Sequence, residues 1–162
     1  MKFKATVIGI VTVLAAAIPG SAAHASSGVL GLKLVNANSG KCLVVVANGS
    51  NGSNATQYTC LDYNDQTWYW DPTTGEMRNG HTDQCLTAQG TSNGAQAFDY
   101  ACTGLIDQKW YNVSIDQDHF WIVNKNSNKC LVVQGTADGN RAFQYTCDYF
   151  YDQYWTSWAA RV

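Results

Sequence analysis

Tyrosine and aspartate recur in this chain at fixed distances from cysteine. Tyr58, Tyr100 and Tyr145 each stand two residues before a Cys, and Asp65, Asp107 and Asp152 each stand five residues after it. A phenol offers a flat apolar face with a polar end, and an ionised carboxylate offers only acceptors. Repeated in step, the two groups read as sharing one job. Other reactive residues are sparse. After residue 25 the histidines are His81 and His119, both in turn-like surroundings, and Glu76 is the only Glu. No Ser sits in a Gly-x-Ser-x-Gly frame, and Asp116-Gln-Asp118 lacks the Gly and terminal Glu of a cation loop and reads as a solvated turn. Hydrolysis by two flanking carboxyls would need partners that the sequence spreads over separate segments. The expectation is a protein without catalytic activity and without a cofactor or metal.

The elements that carry these residues are written three times. The copies are Cys42-Leu43, Tyr58-x-Cys60, Asp65-Gln66-x-Trp68; Cys85-Leu86, Tyr100-x-Cys102, Asp107-Gln108-x-Trp110; and Cys130-Leu131, Tyr145-x-Cys147, Asp152-Gln153-x-Trp155. A period of 43 to 45 residues marks one small unit used three times, each unable to bury its apolar face alone. The repeats span about 30–70, 71–115 and 116–158. Six cysteines permit fifteen pairings; the repeat favours Cys42–Cys60, Cys85–Cys102 and Cys130–Cys147. Zinc is the competing use of cysteine, and the Cys-x-x-Cys spacing it calls for is missing.

No stretch after residue 25 sustains helical apolar spacing. Short β-rich runs are broken instead by Asn, Gly, Ser and Asp. The first repeat reads as strands over Leu30–Val35, Cys42–Val46, Thr56–Cys60 and Thr67–Trp70. The second follows with Glu76–Arg78, Cys85–Ala88, Gln96–Cys102 and Lys109–Val113, and the third with Phe120–Val123, Cys130–Val133, Ala142–Cys147 and Tyr154–Trp158. Leu43, Leu86 and Leu131, with Trp68, Trp110 and Trp155, are the expected core. The amides of Gln66, Gln108 and Gln153 are expected to satisfy backbone groups of the turn before each Trp. Gln57, Asp99 and Gln144 are expected to face outward from their strands.

The N-terminus reads as an export signal: Lys2 and Lys4, an apolar run from Ala5 to Ile18, and a small-x-small site ending at Ala25. That run is short for a membrane span, and no second one follows. Residues 26–162 then form one domain, with eight Lys+Arg against twelve Asp+Glu, a net charge of −4. Without a basic cluster, nucleic acid is excluded as a partner. Export to an oxidising space permits disulfides.

Three Cys-Leu, Tyr-x-Cys, Gln-x-Trp units in register resemble the ricin B-chain type β-trefoil lectins. The resemblance covers about residues 30–158 and implies an all-β trefoil: a six-stranded barrel capped by three hairpins, with a shallow sugar pocket in each repeat. In that family an Asp two residues after the first Cys accepts from sugar hydroxyls. An aromatic two residues before the second Cys stacks on the sugar, and an Asn before the Gln completes the polar contacts. Tyr58, Tyr100 and Tyr145 match the aromatic, whose alternative role is packing beside the disulfide. The Asp is replaced by Val44, Thr87 and Val132, and the Asn by Asp65, Asp107 and Asp152. Either the acceptor has crossed the pocket and sugar binding survives, or each Asp caps its turn and the sites are lost. At the strand position two before the Tyr, Thr56 stands against Phe98 and Phe143, so the first pocket is the more polar.

The resemblance thus implies a secreted lectin for glycans or polysaccharide with up to three sites, the contacts falling to Tyr58, Asp65, Gln66, Tyr100, Asp107, Gln108, Tyr145, Asp152 and Gln153. The alternative is an interaction or targeting subunit of a secreted assembly, with degenerate pockets and another secreted protein as partner. The surplus of Trp and Tyr, including Trp70, Trp121, Trp158 and Tyr149–Tyr151, suits an interface equally well.

Overall fold

A computed structural model describes residues 31–46 and 50–160; the export signal expected over residues 1–25 lies outside them. The described residues form twelve strands, four to each repeat. The first repeat holds β1 (Gly31–Asn36), β2 (Cys42–Val45), β3 (Ala55–Tyr58) and β4 (Trp68–Trp70). The second holds β5 (Met77–Asn79), β6 (Cys85–Ala88), β7 (Ala97–Tyr100) and β8 (Trp110–Ser114). The third holds β9 (Phe120–Asn124), β10 (Cys130–Val133), β11 (Ala142–Tyr145) and β12 (Trp155–Ala159). Every strand expected from sequence is present. The third strand of each repeat stops at the Tyr rather than at the Cys, where the chain turns away.

One local device ends the first strand of each repeat. The side-chain carbonyls of Asn36, Asn79 and Asn124 accept from the backbone N–H two residues on, at 3.2, 3.0 and 3.0 Å, the turn that a short amide side chain favours. Four residues after each Asn the backbone enters the left-handed region, at Gly40 (φ 66°), Asp83 (φ 55°) and Asn128 (φ 54°). Gly, Asp and Asn are the residues that visit this region at least cost.

First and fourth strands make a barrel. β1 pairs with β12 and β4, β4 with β5, β8 with β9, and β9 with β12, all antiparallel. The bridge between Glu76 and Lys109 spans the remaining gap, from β5 to β8. Second and third strands make the hairpins β2–β3, β6–β7 and β10–β11. These cap one end of the barrel and touch one another through single bridges, Asn54–Phe98, Thr56–Arg141 and Gln96–Phe143. The architecture is a β-trefoil.

The core is stacked in threes. Trp68, Trp110 and Trp155, then Leu34, Met77 and Ile122, then Leu43, Leu86 and Leu131, then Ala55, Ala97 and Ala142 are all buried in one cluster. Full burial of each Leu, Ile or Met contributes roughly 1.5–3 kcal/mol. The indole N–H groups find partners: Trp68, Trp110 and Trp155 donate to the carbonyls of Leu43, Leu86 and Leu131 at 2.9, 2.8 and 2.9 Å. Each bond ties barrel to hairpin inside one repeat. The disulfides are Cys42–Cys60, Cys85–Cys102 and Cys130–Cys147, as the repeat favoured. No helix of the described residues is long and apolar enough to cross a membrane.

Candidate functional site

Between second Cys and Trp, each repeat makes a loop ending in one 3-10 turn: Asn64–Gln66, Ile106–Gln108 and Tyr151–Gln153. The Gln of each turn is buried and holds its loop from within. Gln66 accepts from the Leu61 N–H at 2.7 Å and donates to the Thr59 carbonyl at 2.9 Å. Gln108 does the same with Thr103 (2.8 Å) and Ala101 (2.9 Å), and Gln153 with Asp148 (2.7 Å) and Thr146 (3.0 Å). These amides are committed to backbone, as the sequence led us to expect.

The Asp before each Gln is placed differently. Its backbone carbonyl is gripped from the neighbouring repeat: Asn79 donates to Asp65 at 2.7 Å, Asn124 to Asp107 at 2.9 Å, and Asn36 to Asp152 at 2.8 Å. Its side chain is half-buried, and in all three repeats Oδ1 is shut off from solvent with no hydrogen-bond partner. None of the 3-10 turns is capped by a side chain. Each Asp is thus held in place through its backbone, with one carboxylate oxygen buried. Burial raises the Asp152 carboxyl above the ordinary carboxylate range, because a charge is costly away from water.

In the first repeat Asp65 lines a cleft of about 340 Å³ with Val46, Tyr63, Asn64 and His81. His81 comes from the Asn79 turn, so two adjoining repeats build the cleft. The matching positions are Gln89, Leu105, Ile106 and Asn126 beside Asp107, and Gln134, Phe150, Tyr151 and Asn38 beside Asp152.

Tyr58, Tyr100 and Tyr145 lie on the outer faces of the hairpins, 43%, 38% and 45% exposed. Tyr58 does not line the Asp65 cleft. Phe98 and Phe143 meet Tyr100 and Tyr145 edge-on, with centroids 6.4 and 6.5 Å apart. Thr56 takes that place in the first repeat, so the Tyr58 ring lacks this edge-on partner. Across each hairpin from these residues stand Val44, Thr87 and Val132, all buried. The Thr87 hydroxyl donates to the Cys85 carbonyl at 3.0 Å and accepts from Gln108 at 3.2 Å.

Gln57, Asp99 and Gln144 correct an expectation: they are fully buried, not outward. A strand alternates with period two, so an outward Tyr forces its predecessor inward. There the Gln side chains bind a loop of the preceding repeat around the axis. Gln57 donates to the carbonyls of Gly135 and Ala137, both at 3.0 Å, and Gln144 to those of Gly90 and Ser92 at 3.0 and 3.4 Å. Asp99 accepts from the Ser53 N–H at 2.8 Å but has no proton to give, and its Oδ2 is buried and unpaired. Burial raises its carboxyl above the ordinary range, opposed chiefly by the bond from the Ser53 N–H.

Sequence reasoning missed the three Asn anchors and one variable position beside the loops. That position is Lys33 in the first repeat, Glu76 in the second and Trp121 in the third. Lys33 donates to the Tyr63 carbonyl at 2.8 Å; burial lowers its ammonium, with Asp62 and Asp65 pulling the other way. Trp121 packs on Tyr149, centroids 5.3 Å apart. The signal for the anchors was present as an Asn six residues before each first Cys. As for metals, Glu76, Cys85 and Cys102 bring potential ligand atoms within 4.8 Å of one another, but both sulfurs are in a disulfide.

A model of the ricin-type beta-trefoil lectin domain matches residues 31–156. The designed threefold-symmetric protein ThreeFoil superposes with a TM-score of 0.75 and 30% identity, over 78% of this chain and 96% of that one. The hemolytic lectin CEL-III is 31% identical with a TM-score of 0.66, over 76% of this chain and 29% of its own. An exo-beta-1,3-galactanase from Clostridium thermocellum is 25% identical with a TM-score of 0.75, over 80% of this chain and 30% of its own. This chain thus spans about a third of the length of the last two. No curated protein sequence matches significantly.

Proposed function

Because this chain belongs to the ricin-type β-trefoil lectin domain family, a carbohydrate-binding family, we propose that it is a secreted, non-catalytic lectin with up to three sugar sites. The observation that carries this reading is the half-buried Asp65 lining a cleft built by two repeats, at a position the other repeats also fill with Asp, Asp107 and Asp152. A sugar hydroxyl donating to a carboxylate makes a strong, charge-assisted bond. The half-exposed tyrosines supply apolar plates on the hairpins, Tyr58 outside the Asp65 cleft, suited to the C–H face of a pyranose. The acceptor has thus crossed the pocket relative to the family pattern, from the places of Val44, Thr87 and Val132 to Asp65, Asp107 and Asp152. Gln66, Gln108 and Gln153 serve the sites by fixing the loops. Single shallow sites bind weakly; three facing one polymer gain by effective concentration.

A glycan array and retention on insoluble polysaccharides, β-1,3-galactan among them, test this. The triple variant Tyr58→Ala, Tyr100→Ala, Tyr145→Ala should stay folded and lose retention. Undiminished retention removes the tyrosines from the sites.

A second reading is favoured by the loop Tyr149, Phe150, Tyr151, which is 73%, 61% and 65% exposed. Such rings suit a protein interface, making the domain a targeting subunit for another secreted protein. A silent array together with one polypeptide co-purifying from culture fluid would favour it.

A further inference from the structure

The barrel end away from the hairpins holds a polar pocket of about 300 Å³. Asn112, Ser114, Phe120 and Ser157 reach it from β8, β9 and β12, and Asp116 and His119 from the turn joining β8 to β9. Asn112 and Ser114 share the strand face of Trp110, and Ser157 that of Trp155, so all three point into the bore. None of these three side chains makes a hydrogen bond with a described residue. Asp116 is fixed: it accepts from the N–H groups of Asp118 and His119, both at 2.8 Å, and from His119 Nδ1 at 2.9 Å. The pocket therefore combines one immobilised carboxylate, uncommitted hydroxyl and amide groups, and an apolar floor at Phe120.

Aromatic rings link this pocket to the loop of the third repeat. His119 lies 5.9 Å from Tyr154 and Tyr154 lies 5.4 Å from Tyr151, centroid to centroid. Tyr151 adjoins Asp152. The neighbouring Thr67 and Lys109 hold Tyr154's place in the other repeats, so only the third has this connection.

We infer that the open end of the barrel is a second saccharide subsite, and that the third repeat binds an oligosaccharide chain running from Asp152 over Tyr151 to the Asn112–Ser114–Ser157 pocket. The inference rests on the carbohydrate reading above. Hydroxyls and an amide without internal partners, around a fixed acceptor and beside a ring, are the groups that recognise a polyhydroxylated ligand.

The test is a titration of the intact protein, followed by ¹H–¹⁵N NMR, with the two-residue and four-residue fragments of β-1,3-galactan. The tetrasaccharide should shift amides at both 150–153 and 112–119 and bind at least tenfold more tightly than the disaccharide. Ser114→Trp with Ser157→Trp, both at exposed positions, should fill the pocket. That variant should abolish the length advantage while leaving disaccharide binding unchanged. Shifts confined to 150–153, with equal affinity for both lengths, overturn the subsite and leave the lectin reading standing. Silence everywhere overturns both for this polymer. If the Trp variant loses its native spectrum, Asn112→Ala with Ser114→Ala replaces it, and an undiminished length advantage there also overturns the subsite.

Discussion

The Asn79 side chain, in the second repeat, donates at 2.7 Å to the backbone carbonyl of Asp65, in the first. The same Asn accepts from the N–H groups of His81 and Thr82 at 3.0 and 3.3 Å. One buried amide thus ends a barrel strand, shapes the next turn and fixes the neighbouring candidate site. Asn124 and Asn36 repeat the arrangement toward Asp107 and Asp152, so each site depends on the repeat that follows it around the axis.

Replacing Asn79 by Ala leaves a buried carbonyl and turn N–H groups without partners, which costs about 1–3 kcal/mol. Urea unfolding should show that loss. Glycan affinity should fall at the Asp65 site and hold at the other two. Equal weakening of all three sites would mean the bond acts only through global stability.

Trp68→Phe removes the indole N–H that satisfies the Leu43 carbonyl at 2.9 Å and leaves a smaller ring in a fully buried position. A loss of about 2–4 kcal/mol follows from the unpaired carbonyl together with the cavity. Trp110→Phe and Trp155→Phe should cost similar amounts, because their bonds to Leu86 and Leu131 are equivalent. Thermal unfolding of the three variants checks both size and equality.

The fold was legible because duplication wrote it three times. A Cys pair 17 or 18 residues apart, a β-branched run and an invariant Trp are local features, and repetition turns each into a constraint. The Asn36 bond to Asp152 crosses 116 residues of sequence, so only the closed barrel reveals it. Gln57, Asp99 and Gln144 were misplaced because polarity was weighed above period. Tyr58 and Gln57 cannot both face out of one strand, and the neighbouring loop supplies the buried Gln with carbonyl partners. The fate of the Asp side chains was equally hidden, since a turn cap and a ligand acceptor share one sequence.

Asp99 stands where the other repeats place Gln. Its folded-state carboxyl is raised by burial, so the folded protein holds a proton more tightly than the unfolded chain. Linkage then makes this group's penalty largest above the folded pKa, and it shrinks as pH falls toward the unfolded value. Asp99→Asn keeps an acceptor for Ser53 and removes the buried charge. It should stabilise the protein at pH 7 by about 1 kcal/mol, the scale of one unsatisfied buried group. The advantage should narrow on acidification in paired melting curves. Equal melting at pH 7, or a gap that widens in acid, would refute it.

Asp152 should carry the pH dependence of the proposed third site. Its carboxyl is also raised by burial, and a donating sugar hydroxyl bonds more strongly to the ionised form. Lowering the pH through this raised value should weaken glycan binding at the third repeat before ordinary carboxylates protonate. Asp152→Asn retains the shape and an acceptor oxygen but loses the charge. Hydrogen bonds to charged groups exceed neutral ones by about 1 kcal/mol, so affinity at this repeat should fall several-fold and its pH dependence should vanish. Titrations resolved by the amide signals of 150–153, at neutral and mildly acidic pH, separate this site from the other two. A wild-type affinity at that loop unchanged across the range would show that the Asp152 carboxylate does not touch the sugar.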